Sequence, residues 1–298
     1  MDPHRLAKLC HASLTKTFVP EKDVAWGTPF DGVGSPLPDS MLSLAGTPEF
    51  EAMGPERRRE LACHELASMF SAFVRFESVI NGYLARLSQR CPTSEATLPY
   101  VFHIVEEEAR HSRMFARCIE ELGTGAYPRR GLVGALEWLA ARGIERRAAT
   151  FYLGTLCVEE VTDRVLARAL ESDHLHPMIG DIARIHRIEE SRHMDFVRDQ
   201  LRETYDAAGP LERALVRVLA PVVALLVFEL LLSPAVYRRT GLAGSNLQSW
   251  RLWWRARGSR QRSELRRFSV ARIRDWLDDS GLIGGATRRL WAATGLVR

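Results

Sequence analysis

Residues 186–193 read HRIEESRH, and the fold turns on whether this octet is a solvated helix face or a set of metal ligands. On a helix, positions three, four and seven apart share one side. His186, Glu190 and His193 then form a single stripe, with Glu189 and Arg192 turned away from its centre. Taken alone, such a cluster is common on exposed helices. An upstream partner changes its weight. In EEEARHSRM, residues 106–114, Glu108 and His111 stand three apart, as Glu190 and His193 do.

Two Glu-x-x-His helices plus one Glu from each of two further helices is the arrangement by which a four-helix bundle holds two metal ions. Glu77, set in AFVRFESVI, and Glu159, set in TLCVEEV, supply the two further carboxylates. The separations match: 108 − 77 = 31 and 190 − 159 = 31. Each half then reads as a helical hairpin with Glu on its first helix and Glu-x-x-His on its second. A Glu within an apolar stripe is informative, because desolvated carboxylates repel one another and take up protons unless a cation holds them. Glu106, Glu107 and Glu160 lack that context and read as solvated face residues. His186 has no counterpart, since Ile104 stands four residues before Glu108. A dimetal site needs only six protein ligands, so the residues alone leave His186 open between a ligand and a hydrogen-bonded core histidine.

The remaining chain is predicted to be all-α, because strand-period alternation bounded by hairpin turns is absent. With 298 residues, 46% of them hydrophobic, it is long enough to bury a substantial core. We read it as one domain, 1–298: an irregular Pro/Gly-rich arm over 1–45, a metal-binding bundle over 55–207 and additional helices over 210–298. One long helix is expected from Pro55 past Gly82. A second is expected from a cap at Thr93 or Ser94 through Glu121 to Gly123, a third over about 145–172, and a fourth from the HLHP turn to about Ala207. The greasy stretch from Val218 is broken by Pro221, Glu229 and Pro234 and reads as a buried core helix rather than a membrane span. The tail from about Ser259 reads as two shorter helices, and the Trp-rich SWRLWWRARGSR as an extended tail packed on the bundle.

Net charge of +4, with the basic residues spread through the chain, argues against a nucleic-acid binder, and neither an export signal nor a membrane anchor is read. Five widely spaced cysteines with no Cys-x-x-Cys pair suggest reduced, mostly buried thiols in a cytoplasmic protein.

The order Glu, Glu-x-x-His, Glu, His-x-x-x-Glu-x-x-His resembles the AurF-type p-aminobenzoate N-oxygenases, diiron enzymes of the ferritin-like class. FESVI, EEEARH, CVEE and HRIEESRH are this chain's versions of the metal segments, and RRFSVARIRDWLDDSGL resembles the family's C-terminal Arg-x-Phe-Ser stretch. The resemblance runs from about residue 50 to the end. It implies a ferritin-like four-helix bundle with Glu77, Glu108, His111, Glu159, His186, Glu190 and His193 as ligands of two irons, with manganese substitution open. It also implies that Arg266 holds a substrate carboxylate, although RSELRRFSVARIRDW by itself reads as a basic amphipathic helix with a solvated face. The implied activity is monooxygenation: O2 and external electrons convert the amine of a small metabolite, of the natural-product kind, to hydroxylamine, nitroso or nitro. No Gly-x-Gly-x-x-Gly fingerprint is present, so a ferredoxin or flavin reductase is the implied electron donor. A homodimer through the apolar helix near Val222 is a family-level expectation. Two other readings share the residues: a C-hydroxylase or desaturase on the same metal core, and a non-enzymatic ferritin-like iron-binding bundle.

Overall fold

The computed structural model describes residues 1–128, 142–143 and 146–297. Its helices run in the order α1 (Pro3–Thr15), α2 (Pro20–Asp23), α3 (Pro48–Glu51), α4 (Pro55–Arg90), α5 (Leu98–Glu121), α6 (Ala148–Ala169), α7 (Pro177–Ala207), α8 (Pro210–Leu230), α9 (Ala235–Arg239), α10 (Asn246–Arg257), α11 (Arg260–Asp279) and α12 (Ala286–Ala293). Among the described residues the only β-type pairing is an isolated bridge between Ser35 and Leu175. The fold is all-α.

Four helices make the bundle. α4 pairs along α5 and α6 along α7, and the two hairpins meet through α5 against α7 and α4 against α6. The 36 residues of α4 reach about 54 Å at the helical rise. Pro55 suits its first turn, where no intrahelical donor is needed. Its buried stripe, Leu61, Glu65, Met69, Phe73, Glu77, Ile80 and Leu84, advances by three or four residues, so two carboxylates lie on the face that meets the bundle core. α5 begins at Leu98 rather than at a Thr93 or Ser94 cap, and Thr97 before it makes no side-chain cap. It ends where Gly123 takes φ +67°, the left-handed turn that stops a helix. The helix expected over 145–172 runs Ala148–Ala169, and residues 144–145 lie outside the described residues. α6 is buried on nearly every side because α7, α8 and α11 all pack on it as well as α4.

Three expectations are corrected. The N-terminal arm is not wholly irregular: α1 packs against α5 and α7. Farther along, Ser35 donates to the His174 carbonyl at 2.8 Å and accepts from the His176 amide at 2.9 Å. Gly34 permits that approach, since a Cβ there would stand 3.0 Å from the His174 oxygen. The Trp-rich stretch is helical, not extended, because Ser245 caps α10 at Gln248 and Trp253 turns inward to donate to the Leu232 carbonyl at 3.0 Å. The greasy helix α8 runs through Pro221 and is buried on one side only. Val216, Ala220, Ala224 and Val227 face the protein, while Leu211, Val218, Val222 and Leu226 are exposed. By length and composition the stretch Pro210–Arg239 is apolar enough to cross a membrane, and half of its apolar window is covered by protein.

Phe70, Phe73 and Phe115 lock α4 to α5, with ring centroids 4.6 to 5.7 Å apart. Replacing Phe70, fully buried, by Ala should cost about 3–5 kcal/mol through lost burial and a residual void. Urea unfolding of both proteins checks this, and a loss under about 1 kcal/mol would mean that the trio does not hold the hairpin.

Candidate metal centre

Each of the seven residues expected as ligands is at most 4% exposed, and all project into the bundle core. One ligand atom each from Glu77, His111, His186 and Glu190 lies within 4.8 Å of the others, and Glu108, Glu190 and His193 form a second such group. Glu190 belongs to both. His111 Nδ1 is 3.1 Å from Glu190 Oε1, and His193 Nδ1 is 3.3 Å from Glu190 Oε2. Glu108 also lies between the two histidines, 3.7 Å from His111 Nδ1 and 3.1 Å from His193 Nδ1. The two Glu-x-x-His glutamates therefore lie between the two histidines, and Glu77 and Glu159 flank them. Glu159 touches the second group through Glu190 and Glu108. His186 Nε2 stands 3.7 Å from Glu77 Oε1 and 3.4 Å from Glu190 Oε1, which gives the first group its second histidine.

Around this core runs a crossed outer ring. His111, on α5, meets Glu189 of α7 through Nε2 at 2.7 Å, and Arg110 holds that carboxylate at 2.7 Å. His193, on α7, meets Glu107 of α5 through Nε2 at 2.7 Å, and Arg192 holds that one at 2.8 Å. Each histidine thus keeps Nδ1 for the centre while the opposite helix fixes its other nitrogen, the device that sets ring orientation and basicity in metal sites. The pattern Glu-Glu-x-Arg-His occurs at 107–111 and again at 189–193, an offset of 189 − 107 = 82 residues that repeats at 193 − 111 = 82. Four identities at that constant offset were the available signal. Glu107 is therefore not a solvated face residue, and neither is Glu160, which is fully buried against Arg198 and Arg272. Glu106, with its side chain 72% exposed, is one.

The donor set fits two divalent cations. Glu77 Oε1, both Glu108 oxygens, His111 Nδ1, Glu159 Oε1 and Glu190 Oε1 are buried with no hydrogen-bond partner among the described residues. Buried polar atoms left this way are costly unless something binds them. Four ligand carboxylates balance the charge of two divalent ions, while Glu107 with Arg192 and Glu189 with Arg110 cancel within the outer ring. Without that counter-charge, burial raises Glu77 well above the ordinary carboxylate range, and Glu108 adds to it. Burial likewise raises Glu159, with Glu190 and Glu108 adding their repulsion. His111 and His193 are held well above the ordinary imidazole range: the facing carboxylates overcome the burial that would lower them. His186, with burial as the main cause, is lowered to about 4 and stays neutral.

Beside Glu108, Glu159 and His193 lies a cavity walled by Ile80, Leu84, Ile104, Phe151, Tyr152 and Phe196, of about 10 Å³, no more than room for one water. Phe73 and Phe115 close the His186 side, with ring centroids 5.9 and 5.3 Å from the imidazole. Arg266 stands elsewhere. It is buried, not on a solvated face, and its Nη1 donates to Glu229 at 3.0 Å, with Nη2 on Ser263. None of these partners belongs to the metal cluster, and an acidic ligand at Arg266 would have to share it with Glu229.

Comparison with known proteins places the chain in a family. The family described as P-aminobenzoate N-oxygenase AurF matches residues 2–281. Two uncharacterized proteins, one from Mycobacterium bovis and one from Mycobacterium tuberculosis, are each 26% identical over 225 residues, 73% of this chain. The chain spans 65% of the length of these curated relatives. A solved structure of an R2-like ligand-binding oxidase variant with a reconstituted Mn/Fe cofactor aligns over 88% of this chain and 93% of its own, at a TM-score of 0.41 and 11% identity.

Two measurements test the centre. A carboxyl whose folded value is raised stabilises the fold below its unfolded value and loses that contribution as pH climbs through the folded one. Glu77 and Glu159 therefore weaken the metal-free protein with rising pH, and cations must displace protons from them and from His111 and His193. Calorimetric titration with Mn(II) in buffers of different ionisation enthalpy should show net proton release and a larger rise in melting temperature at pH 8 than at pH 6. Binding with no proton release would move the metal away from these residues. Replacing Glu107 or Glu189 by Gln removes the anchor on one imidazole, and Mn(II) affinity should fall by about 10–100-fold in each variant. Wild-type affinity in both would mean the outer ring does not position the ligands.

Proposed function

Because the chain belongs to the AurF family, we propose that it is a diiron oxygenase that inserts an oxygen atom at the amine nitrogen of a small metabolite. The observation that carries the reading is His186. A carboxylate-bridged pair on a four-helix bundle needs only six ligands, and here a third, neutral imidazole faces Glu77 and Glu190 within the first group. That completes the seven-residue order by which the chain resembles the family. When bound, the two irons supply the electrons that activate O2.

The protein's own groups do the rest. Glu77, Glu108, Glu159 and Glu190 neutralise the ions in a site that water does not reach, and Glu107 and Glu189 hold the two outer imidazoles in the ligating tautomer. The apolar walls of the small cavity beside Glu108 and Glu159 keep bulk water from the reacting atoms. Conversion of an amine to a hydroxylamine takes one oxygen atom from O2 and sends the other to water, consuming two electrons and two protons per turnover. We assign those electrons to an external protein donor, a ferredoxin or a flavin reductase. Manganese at one of the two positions is compatible with the same ligand types.

The test is made on protein purified from iron-supplied cells. Metal analysis should find roughly two irons per chain, and chemically reduced protein given an O2 pulse should show a transient visible absorption. Incubation with a panel of aryl and alkyl amines under 18O2 should yield hydroxylamine or nitro products carrying the label at nitrogen. Label at carbon in those products would transfer the same metal core to a hydroxylase, and iron uptake without any substrate oxidation would leave an iron-binding bundle.

A further inference from the structure

A surface cavity of about 450 Å³ lies where the C-terminal end of α4 meets the N-terminal end of α6. Arg86 and Arg90 of α4 line it together with Arg142 and Arg146, and no carboxylate among the described residues does. All four arginines are exposed. In the same wall α6 starts at Ala148 without a side-chain cap, so the positive end of its dipole adds to their field. A basin of one sign draws in partners of the other and speeds their encounter.

The inner wall of this basin is aromatic. Tyr83, half-buried, stacks on Phe151 with ring centroids 3.5 Å apart and planes at 16°, and meets Tyr152 edge-on at 6.2 Å. Phe151 and Tyr152, themselves 5.3 Å apart, are also walls of the small cavity beside Glu108, Glu159 and His193. Ring contacts therefore run from the arginines to the metal ligands. The run is short: Tyr83 follows Glu77 by 83 − 77 = 6 residues, about 9 Å along α4, and Tyr152 precedes Glu159 by 159 − 152 = 7 residues, about 10.5 Å along α6.

We propose that the arginine-lined basin is the docking surface of an acidic one-electron carrier protein, and that the rings of Tyr83, Phe151 and Tyr152 conduct its electrons to the metal centre. The need for external electrons rests on the oxygenase reading; the place of their entry rests on the basin and its aromatic wall. Exposed cations suit a partner that must bind briefly and leave, since charges on a rim set the encounter rate more than the lifetime of a complex. A small anion would use the same charge but would leave the aromatic run inward without a role. Each encounter oxidises the carrier by one electron and reduces one ferric ion to ferrous. No bond of the protein forms or breaks, and two encounters reduce the pair.

The test uses the full chain and a plant-type [2Fe–2S] ferredoxin, an acidic carrier of low potential. On metal-free protein, calorimetry should show ferredoxin binding that weakens at least about tenfold between about 50 and about 300 mM NaCl, as exposed charges are screened. Joint replacement Arg86→Glu and Arg90→Glu should weaken it at low salt by at least about tenfold, with little change in melting temperature because both side chains are exposed. In iron-loaded protein without O2, Tyr83→Leu should keep the ferredoxin affinity and the rate of reduction by dithionite, yet slow reduction by ferredoxin severalfold. Tyr83→Phe, which keeps the ring, should restore that rate. Ferredoxin that does not bind, or that binds the doubly reversed protein as it binds the wild type, would overturn the docking surface. Inorganic phosphate held by the same arginines, with no ferredoxin bound, would leave a small-anion site in its place. An unchanged ferredoxin-driven rate in Tyr83→Leu would overturn the conduction path. Failure of the oxygenase reading shows differently, as reduced, iron-loaded protein that oxidises no amine while its ferredoxin binding stays intact.

Discussion

Four ligand carboxylates buried in one bundle core are the constraint on which the rest of the structure depends. A carboxylate removed from water is expensive, and four together are more so, because each raises the energy of its neighbours. The chain does not relieve this by hydrogen bonding them to one another's backbones or by opening the core to solvent. It leaves six donor atoms on these residues and His111 without partners, all directed to the same small volume. Such a core is stable as a protein only if protons or cations occupy it. Protons satisfy it partially, by raising Glu77 and Glu159, while two divalent cations satisfy the whole set at once.

The crossed outer ring follows from the same constraint. An imidazole between two carboxylates could rotate or present either nitrogen, and a site that must bind two ions in fixed relation cannot tolerate that freedom. Binding His111 to Glu189 and His193 to Glu107 ties each histidine to the helix opposite its own. The two hairpins are thereby held in register at the level of the ligands, and Arg110 and Arg192 each hydrogen-bond one outer carboxylate and offset its charge. A second tie is made from outside the bundle. Arg272, on α11, reaches Glu160 and Asp163 of α6, the first of them next to Glu159, and lies 3.1 Å from the sulfur of Met194, next to His193. The C-terminal helices thus act on the centre through the neighbours of its ligands.

This explains which parts were legible in the sequence. Helix-borne ligands obey the helical repeat, so Glu-x-x-His at 108–111 and 190–193 and the two intervals of 31 residues pointed to the bundle and to six of the positions, Glu77, Glu108, His111, Glu159, Glu190 and His193, while His186 followed only from the family resemblance. The outer ring was hidden because its partners are related by tertiary contact. Glu107 lies inside the run Glu106–Glu107–Glu108, where composition suggests a wet face, and only Arg192 and His193, 85 and 86 residues away, show that it is dry. Glu160 fails for the same reason, with partners 38 and 112 residues distant. α10 was misread for another. Its tryptophans do not form a simple amphipathic stripe, since Trp253 is turned inward while Trp250 and Trp254 stay largely exposed.

Arg266 shows where resemblance and physics part. The motif around it matches the family, yet in this chain its charge is already met by Glu229, and the guanidinium whose Nε and Nη2 make no hydrogen bond is one helical turn earlier, at Arg262, 3.8 Å from the same Glu229. A cation can attract an anionic ligand only with charge that the protein has not already neutralised, so the capacity for recognition follows the unpaired donors rather than the matched position. In the metal centre the two criteria largely coincide, because six of the seven positions that match the family pattern, all but His193, also contribute unsatisfied atoms. At the α8–α11 contact they diverge by four residues. Over that interval the physical criterion is the more specific of the two, because it depends on what Arg257, Glu229 and Glu65 do in this structure and not on what a related chain would place there.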